Sequence, residues 1–151
     1  MFLLLRIFNF EFGKEILKNR RNIIKEKTYQ FALDIVILYK KLREQNEFIL
    51  SKQVVRSGTS IGANVEEATA GQSRKDFISK MAISSKEARE TNYWLRLLRD
   101  SRLCEGIDYT NLINESEEII NILTSIVKTS QKEGNSKFKR KQFQRTFQKV
   151  K

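Results

Sequence analysis

The sequence contains no histidine, no proline and a single cysteine among its 151 residues. The absence of histidine excludes Ser-His and Cys-His catalysis, as well as metal sites built on imidazole. Cys104 has no second cysteine with which to form an internal disulfide, so a reducing cytoplasm is the expected compartment. We therefore predict no catalytic residue, no metal site and no cofactor.

The lack of proline permits long uninterrupted helices, whereas average composition would give about seven prolines in a chain of this length. Apolar residues recur at three- and four-residue spacing in four segments, which predicts helices over about 22–45, 52–70, 73–102 and 108–133. We expect Ser51 to cap the second helix and Ser73 with Asp76 to cap the third. Glycines 71, 106 and 134 stand where the second, third and fourth helices should end. Short connections then predict an all-α, antiparallel up-down-up-down four-helix bundle.

The positive charge of the chain is concentrated at its two ends. Residues 134–151 contain seven Lys or Arg residues and no Asp or Glu, whereas residues 22–133 are nearly neutral. The apolar run at the start is too short to cross a bilayer, so we expect no membrane partner. We predict three parts, namely an apolar and basic N-terminal extension (1–21), the bundle (22–133) and a flexible basic C-terminal tail (134–151).

Two glycines, Gly58 and Gly62, lie inside the predicted second helix. Each should destabilise a helix by about 1 kcal/mol relative to alanine. Two of them four residues apart indicate that a neighbouring helix approaches the backbone closely. The alternative is that the second helix breaks at this point.

A polar set lies along one flank of the second helix and one flank of the third. If these flanks meet, Arg56 and Asn64 could satisfy the carboxylates opposite them, and the network would fix the register of the two helices. An ordinary solvated surface is the alternative. A ferritin-like dimetal site is excluded because it needs Glu-x-x-His pairs. The predicted polar network consists of Arg56, Ser60, Asn64, Glu67, Glu87 and Glu90.

The first and third helices each carry a second apolar stripe. A solitary four-helix bundle needs one such stripe per helix, so the surplus predicts an interface between copies of the chain. Scattered surface hydrophobics are the alternative. The predicted interface residues are Leu33, Ile37, Ile83, Trp94 and Leu97.

Three segments carry a resemblance to a known family: residues 56–67 (RSGTSIGANVEE), 73–77 (SRKDF) and 86–98 (KEARETNYWLRLL). They resemble the four-helix-bundle proteins encoded in intervening sequences of bacterial 23S ribosomal RNA genes. The same family includes the accessory protein of diversity-generating retroelements. The resemblance implies a ring, expected to be a homopentamer, without established enzyme activity. It also suggests nucleic acid and a reverse transcriptase as partners. The likeness covers about residues 22–132, so no role for the two ends follows from it.

The leading hypothesis is a non-catalytic oligomeric bundle that binds RNA, or DNA, by charge. Phenylalanines alternate with cations in the tail, where they could stack on unpaired bases. A solubilising tail, or a tail that binds a membrane surface or a protein groove, is the alternative. At the level of function, an adaptor that recruits a reverse transcriptase and a structural protein without ligand remain open. The residues predicted to bind nucleic acid are Arg89, Arg96, Arg99, Lys137, Lys139, Arg140, Lys141, Arg145 and Lys149.

Overall fold

The computed structural model describes the backbone of residues 2–148 and the side chains of Asn19 and residues 22–132. Over the described backbone the protein contains four helices and no strand, which confirms the predicted all-α four-helix bundle. The helices are α1 (Phe2–Glu44), α2 (Leu50–Ala70), α3 (Arg74–Ser101) and α4 (Thr110–Gln148).

Each helix turns one apolar face towards a common core. α2 packs against α1 and α3, and α4 packs against α3 and α1. Residues at the three-four spacing of each helix form this core; in α4 the buried position is Ile113, whereas its neighbour Leu112 is half-buried. The up-down-up-down direction of the helices stays a prediction. The largest fully buried side chains include Phe31, Ile35, Ile61, Met81, Leu95, Ile119 and Leu123.

Two predicted helix ends are wrong. α1 begins at Phe2 rather than near residue 22, and α4 continues through Gly134 to Gln148. A single glycine costs a helix only about 1 kcal/mol, and no proline is present to force an end. Gly134 is therefore too weak a signal to stop a helix. The division into 1–21, 22–133 and 134–151, and the flexibility of the tail, stay predictions.

The prediction that Ser51 caps α2 is also wrong. The helix begins at Leu50, and Glu47 performs the capping. The Glu47 carboxylate accepts hydrogen bonds from the backbone N–H of Ile49 at 3.0 Å, of Leu50 at 2.8 Å and of Ser51. A carboxylate offers two acceptor oxygens and a negative charge, which is favourable near the positive end of the helix dipole, so Glu47 can accept from three N–H groups at once. The buried Ser51 hydroxyl instead donates to the Glu47 carbonyl oxygen at 2.8 Å.

The link between α2 and α3 follows the sequence prediction. α2 ends at Ala70 with Gly71 as its C-cap, and the Ser73 hydroxyl accepts a hydrogen bond from the Asp76 N–H at 3.1 Å. The predicted end of α3 is confirmed as well, because the helix ends at Ser101. Only two residues, Gln72 and Ser73, separate the Gly71 cap from the start of α3. The two helices that carry the predicted polar network are therefore consecutive and packed against each other.

α2 is continuous through Gly58 and Gly62, which confirms the predicted close approach. Both glycines face α1: Gly58 lies against the Ile35 side chain, and a Cβ at Gly62 would be 3.3 Å from the Thr28 carbonyl oxygen. The Thr28 hydroxyl is turned back to its own helix, where it donates to the Ile24 carbonyl at 2.8 Å. The glycines thus set the distance between α1 and α2.

Candidate functional site

The structure brings three members of the predicted polar network together in the groove between α2 and α3. Arg56 on α2 forms ion pairs with two carboxylates on α3, Glu87 and Glu90. Arg56 Nη2 donates to Glu90 Oε1, which also accepts a hydrogen bond from the Trp94 indole N–H at 3.2 Å. We call Arg56, Glu87, Glu90 and Trp94 the groove cluster.

The groove cluster contains one unsatisfied atom. Glu87 Oε2 is shielded from solvent and accepts no hydrogen bond from any described residue. The nearest cationic nitrogen is Arg56 Nη1 at 3.8 Å, which is too long for a hydrogen bond. Two carboxylates thus share one guanidinium, and the cluster carries an excess negative charge. A half-satisfied carboxylate of this kind is costly when it is shielded from water.

The other three members of the predicted network form separate contacts. The Asn64 amide donates to the Ser60 carbonyl oxygen of its own helix at 2.8 Å, so the prediction that Asn64 satisfies the carboxylates of α3 is wrong. Short polar side chains often bond the carbonyl four residues earlier, which withdraws them from contacts between helices. Glu67 forms an ion pair with Lys80 near the other end of the groove. The predicted single network is therefore two clusters on the same flank.

Buried hydroxyl groups hold α2 and α3 in register beneath the groove. The Ser57 and Thr91 hydroxyls are hydrogen-bonded at 2.9 Å, and the Ser84 hydroxyl donates to the Ile61 carbonyl oxygen at 2.9 Å. All three hydroxyl-bearing residues are fully buried. Because a buried hydroxyl without a partner is destabilising, these contacts favour one register of α2 on α3. That register places Arg56 opposite Glu90.

A buried amide that the sequence reasoning missed joins α3 to α4. The Asn92 amide donates to the Ser116 hydroxyl at 2.8 Å, and its oxygen accepts from Arg96 Nε at 2.9 Å. The Ser116 hydroxyl in turn donates to the Ile113 carbonyl. The four-residue spacing of Asn92 from Ala88 and Arg96 was the only available signal, since it places Asn92 at the edge of the core stripe.

The predicted interface residues differ in exposure. Leu33, Ile37 and Ile83 are exposed at 42%, 51% and 37%. Trp94 and Leu97 are half-buried, and Trp94 packs on the core cluster from outside. Tyr93, which was not predicted, adds another exposed ring on α3, in edge contact with Trp94 at a centroid distance of 4.9 Å. The outer surface of α3 beside the groove cluster is therefore apolar and aromatic.

The three arginines predicted to contact nucleic acid lie on α3 with different partners. Arg89 donates to the Thr124 hydroxyl at 3.1 Å, and Arg96 donates to the Asn92 amide oxygen; both acceptors are neutral. Arg99 forms an ion pair with Asp100, which lowers the pKa of the Asp100 carboxyl through a direct hydrogen bond. Asp100 therefore partly compensates the charge of Arg99 and, to a smaller extent, that of Arg96, which also acts to lower the pKa of Asp100. The tail cations Lys137, Lys139, Arg140, Lys141, Arg145 and Lys149 have side chains outside the described residues.

A second group of titratable residues lies at the end of the bundle that contains the α1–α2 and α3–α4 connections. The pKa of the Cys104 thiol is raised by burial and by the charge of Glu47. Burial, with smaller contributions from Cys104 and Glu47, raises the pKa of Tyr109 to about 12, and the Tyr109 hydroxyl is buried without a hydrogen-bond partner. Burial also acts to raise the pKa of Glu47, but its backbone hydrogen bonds outweigh this and hold the pKa below 4.5. A buried thiol with a raised pKa is a poor nucleophile, which agrees with the absence of a predicted catalytic role for Cys104.

Neither a metal site nor a membrane span is found in the described part of the chain. No three His, Cys, Asp or Glu residues with described side chains are grouped so that they could hold a metal ion. No helix, where described, has the length and apolar character needed to cross a bilayer. A shallow apolar depression of about 380 Å³ lies between α1 and α4, lined by Ile23, Asn121, Ile122 and Ser125.

These features define an all-α bundle with polar clusters on one flank and, on another, two arginines whose hydrogen-bond acceptors are neutral. The chain belongs to the family described as the 23S rRNA-intervening sequence protein, whose family model matches residues 20–125. The resemblance carried by residues 56–67, 73–77 and 86–98 is thereby confirmed. Residues 1–19 and 126–151 lie outside the family match.

A solved structure supports the same assignment. The chain is similar to a Bacteroides thetaiotaomicron VPI-5482 protein described as having unknown function and as a member of the S23 ribosomal protein family. The two chains are 51% identical with a TM-score of 0.69, and the match covers 72% of this chain and 98% of the other. No curated protein matches the chain.

Proposed function

We propose that this protein is a non-catalytic bundle that assembles with copies of itself in the cytoplasm and binds RNA through the positive charge of α3 and of the C-terminal tail. The observation that carries the proposal is the pairing of Arg89 and Arg96 with neutral acceptors. A guanidinium bonded to a hydroxyl or amide oxygen keeps its full charge, and phosphate oxygens can be bound by its remaining N–H donors.

Charges near these arginines support the proposal. Arg89 and Arg96 are seven residues apart, so they lie on one face of α3 about two turns apart. Lys86 on α3 and Lys128 on α4 are exposed. Because Arg99 is paired with Asp100, we expect it to contribute less than Arg89 and Arg96.

The exposed apolar residues support the self-assembly part of the proposal. Leu33 and Ile37 on α1 and Ile83 on α3 present aliphatic side chains to solvent in the single chain. Apolar side chains exposed on the outer faces of two helices are typical of interfaces between proteins. The resemblance to the family favours a ring of five copies, and the family description connects these proteins with 23S ribosomal RNA.

The RNA proposal is tested by binding of a fluorescently labelled single-stranded oligouridine and of an RNA hairpin over a series of salt concentrations. If the tail neutralises seven phosphates of a single strand, log affinity should fall with log salt at a slope near −5, by a general relation of about −0.7 per phosphate. Arg89→Gln combined with Arg96→Gln should make the slope shallower by about 1.4. Arg99→Gln is the matched control and should change the slope least.

Three outcomes would contradict the RNA proposal. An affinity that does not change with salt would exclude binding by charge. Equal slopes for the double variant and the wild type would exclude α3, and unchanged binding after deletion of 136–151 would exclude the tail. If the protein shows no RNA affinity but retains a protein partner such as a reverse transcriptase after nuclease treatment, the adaptor is favoured. If it retains neither RNA nor a protein partner, a structural protein is favoured.

A further inference from the structure

Three cations and one aromatic ring form a stripe along the outer surface of α3. Lys86, Arg89, Tyr93 and Arg96 are spaced by three, four and three residues, so they lie on one face of the helix. All four are exposed, and Tyr93 keeps 50% of its surface in contact with solvent. We call these four residues the cationic stripe. Its aromatic ring lies between two arginines, about one helical turn from each.

The carboxylates of this part of α3 are directed to the flank that packs on α2. Glu87 and Glu90 are the only acidic residues in the sequence between Lys86 and Arg96. Both form ion pairs with Arg56 in the groove cluster. The cationic stripe therefore presents positive charge on both sides of its ring, and positive charge attracts phosphate groups.

A chain of hydrogen bonds that begins inside the bundle fixes the guanidinium of Arg96. The Ser116 hydroxyl donates its one proton to the Ile113 carbonyl at 2.7 Å, so towards Asn92 it acts as an acceptor. The NH₂ group of Asn92 is thus directed to Ser116, and its oxygen accepts from Arg96 Nε at 2.9 Å. Asn92 is only 7% exposed. A buried amide therefore orients Arg96 through Nε, and both Nη groups remain able to bind a phosphate.

Neighbouring side chains also hold Arg89 and Tyr93. Arg89 Nη2 donates to the Thr124 hydroxyl on α4 at 3.1 Å, and a guanidinium has further N–H donors for a second acceptor. The Tyr93 ring is in edge contact with the Trp94 ring, with a centroid distance of 4.9 Å and an interplanar angle of 68°. This contact restrains the ring, while half of Tyr93 stays exposed. A restrained ring loses little conformational entropy when a planar ligand stacks on it.

The order of groups along the cationic stripe matches the order of groups in a nucleic-acid strand. In a strand, each base lies between the phosphate before it and the phosphate after it. Guanidinium groups bind phosphates through their N–H donors, and aromatic rings stack on bases. A base can stack on a protein ring only where it is unpaired and splayed out, because its neighbours cover it inside a duplex. The stripe is therefore suited to an unpaired nucleotide.

We propose that α3 binds one unpaired nucleotide of a single-stranded RNA, with its base stacked on Tyr93 and its two flanking phosphates on Arg89 and Arg96. The proposal rests on the RNA binding stated above, and it adds the class of RNA and the side chain that recognises the base. Asn92 is a positioning residue, because it acts on the phosphate only through Arg96. Binding by charge alone would require neither Tyr93 nor Asn92.

The first test compares a fluorescently labelled oligouridine with an RNA duplex of the same length, using the full chain. Tyr93→Leu should weaken binding of the oligouridine by about fivefold or more, because one base loses its stacking surface. The affinity for the duplex should not change. The salt dependence of both ligands should not change either, since no charge is removed. Circular dichroism verifies that the variant keeps its helices.

Two control variants accompany this test. Tyr93→Phe keeps the ring and should bind both RNAs as the wild type does. Tyr29→Leu removes a ring that is 65% exposed on α1, which packs on α2 and α4, and should leave both affinities unchanged. The proposal would be overturned by an oligouridine affinity that Tyr93→Leu does not alter, by an equal loss for the duplex, or by an equal loss from Tyr29→Leu.

The second test separates the orientation of Arg96 from its charge. Asn92→Leu combined with Ser116→Ala removes both partners of the buried hydrogen bond and leaves the charge of Arg96 in place. The salt slope should stay at the wild-type value, while the oligouridine affinity should fall by about two- to tenfold. In an Arg96→Gln background the same two substitutions should have no further effect, which a general loss of stability would not reproduce. Equal losses in both backgrounds would overturn the positioning role of Asn92.

The outcomes distinguish this inference from the proposed function. If Arg89→Gln with Arg96→Gln leaves the salt slope unchanged, binding by the charge of α3 fails and this inference fails with it. If that double variant makes the slope shallower but Tyr93→Leu has no effect on the oligouridine, only the site for an unpaired nucleotide is overturned, and RNA binding by charge stands.

Discussion

Gly58 on α2 lies so close to Ile35 on α1 that a Cβ at the glycine would stand 2.8 Å from Ile35 Cγ2 and 2.9 Å from Ile35 Cγ1. Ile35 is fully buried, so its branched side chain has no open space into which to turn. The glycine is therefore required by packing, although it weakens the helix that contains it.

We predict that Gly58→Ala destabilises the wild-type protein by about 1–3 kcal/mol, because overpacking a tight core exceeds the gain in helix propensity. In an Ile35→Ala background the two carbons closer than 3.0 Å are removed and only the Cβ of residue 35 remains, at 3.3 Å from the new Cβ, so the same substitution should be less destabilising than in the wild type. Ile35→Ala alone should cost about 2–5 kcal/mol. Urea unfolding of the four chains measures this cycle, and an equal loss from Gly58→Ala in both backgrounds would contradict it.

Removing one partner of the hydrogen bond between Asn92 and Ser116 should destabilise the protein more than replacing both partners by apolar residues. Ser116→Ala leaves the buried Asn92 amide without an acceptor and should cost about 1–3 kcal/mol. The double variant Asn92→Leu with Ser116→Ala removes both polar groups and should be more stable than Ser116→Ala alone. Denaturant midpoints decide the order, and a double variant less stable than the single one would refute the interpretation.

The cap formed by Glu47 should give the protein an acid-sensitive component of stability. The pKa of Glu47 is lowered from 4.5 by its backbone hydrogen bonds, so its contribution is fully present above that value. It is lost as the pH falls through the lowered pKa of the folded state. Glu47→Gln should cost about 1 kcal/mol at neutral pH. The difference between the variant and the wild type should shrink as the pH is lowered below 4.5, and a constant difference would exclude the charged cap.

Tyr109 should make part of the stability sensitive to alkaline pH, whereas Glu47 makes part of it sensitive to acid. Its pKa rises from 10.0 to about 12 on folding, so the neutral phenol is favoured in the folded state. The contribution is complete below pH 10.0 and is lost as the pH rises through about 12. Tyr109→Phe should remove this loss. It should also cost little at neutral pH, because the hydroxyl has no partner. Thermal unfolding of the wild type and of Tyr109→Phe is compared from neutral to alkaline pH. An identical loss of stability at high pH in both proteins would contradict the role assigned to Tyr109.

The core and the family could be predicted from the sequence because both depend on short-range patterns. The three-four spacing identified buried positions such as Phe31 and Leu95, since one face of each amphipathic helix must be covered. The pair Gly58 and Gly62 predicted a close approach between helices, because glycine inside a helix is unfavourable unless a neighbouring helix leaves no space for a side chain. The start of α1 and the end of α4 could not be predicted. Glycine stops a helix only weakly, and no proline marks either boundary.

The candidate site was predictable only in part. Arg56 with Glu87 and Glu90 followed from facing flanks of two helices, whereas Asn64 was lost to a local bond with the Ser60 carbonyl that helical spacing does not reveal. The Glu47 cap was missed because a carboxylate that reaches forward from the preceding loop has no fixed sequence signature. The exposed ring of Tyr93 was missed because Tyr93 does not belong to the second apolar stripe of α3, from which the interface residues were predicted.

Because Cys104 is buried, the reactivity of its thiol reports local opening of the bundle. The chain has one thiol, it is buried, and its raised pKa disfavours the reactive thiolate. An alkylating reagent should therefore modify the native protein only during transient exposure of the α3–α4 connection. The rate of labelling, compared with that of the unfolded chain, then measures how often this corner of the bundle opens, without any introduced probe.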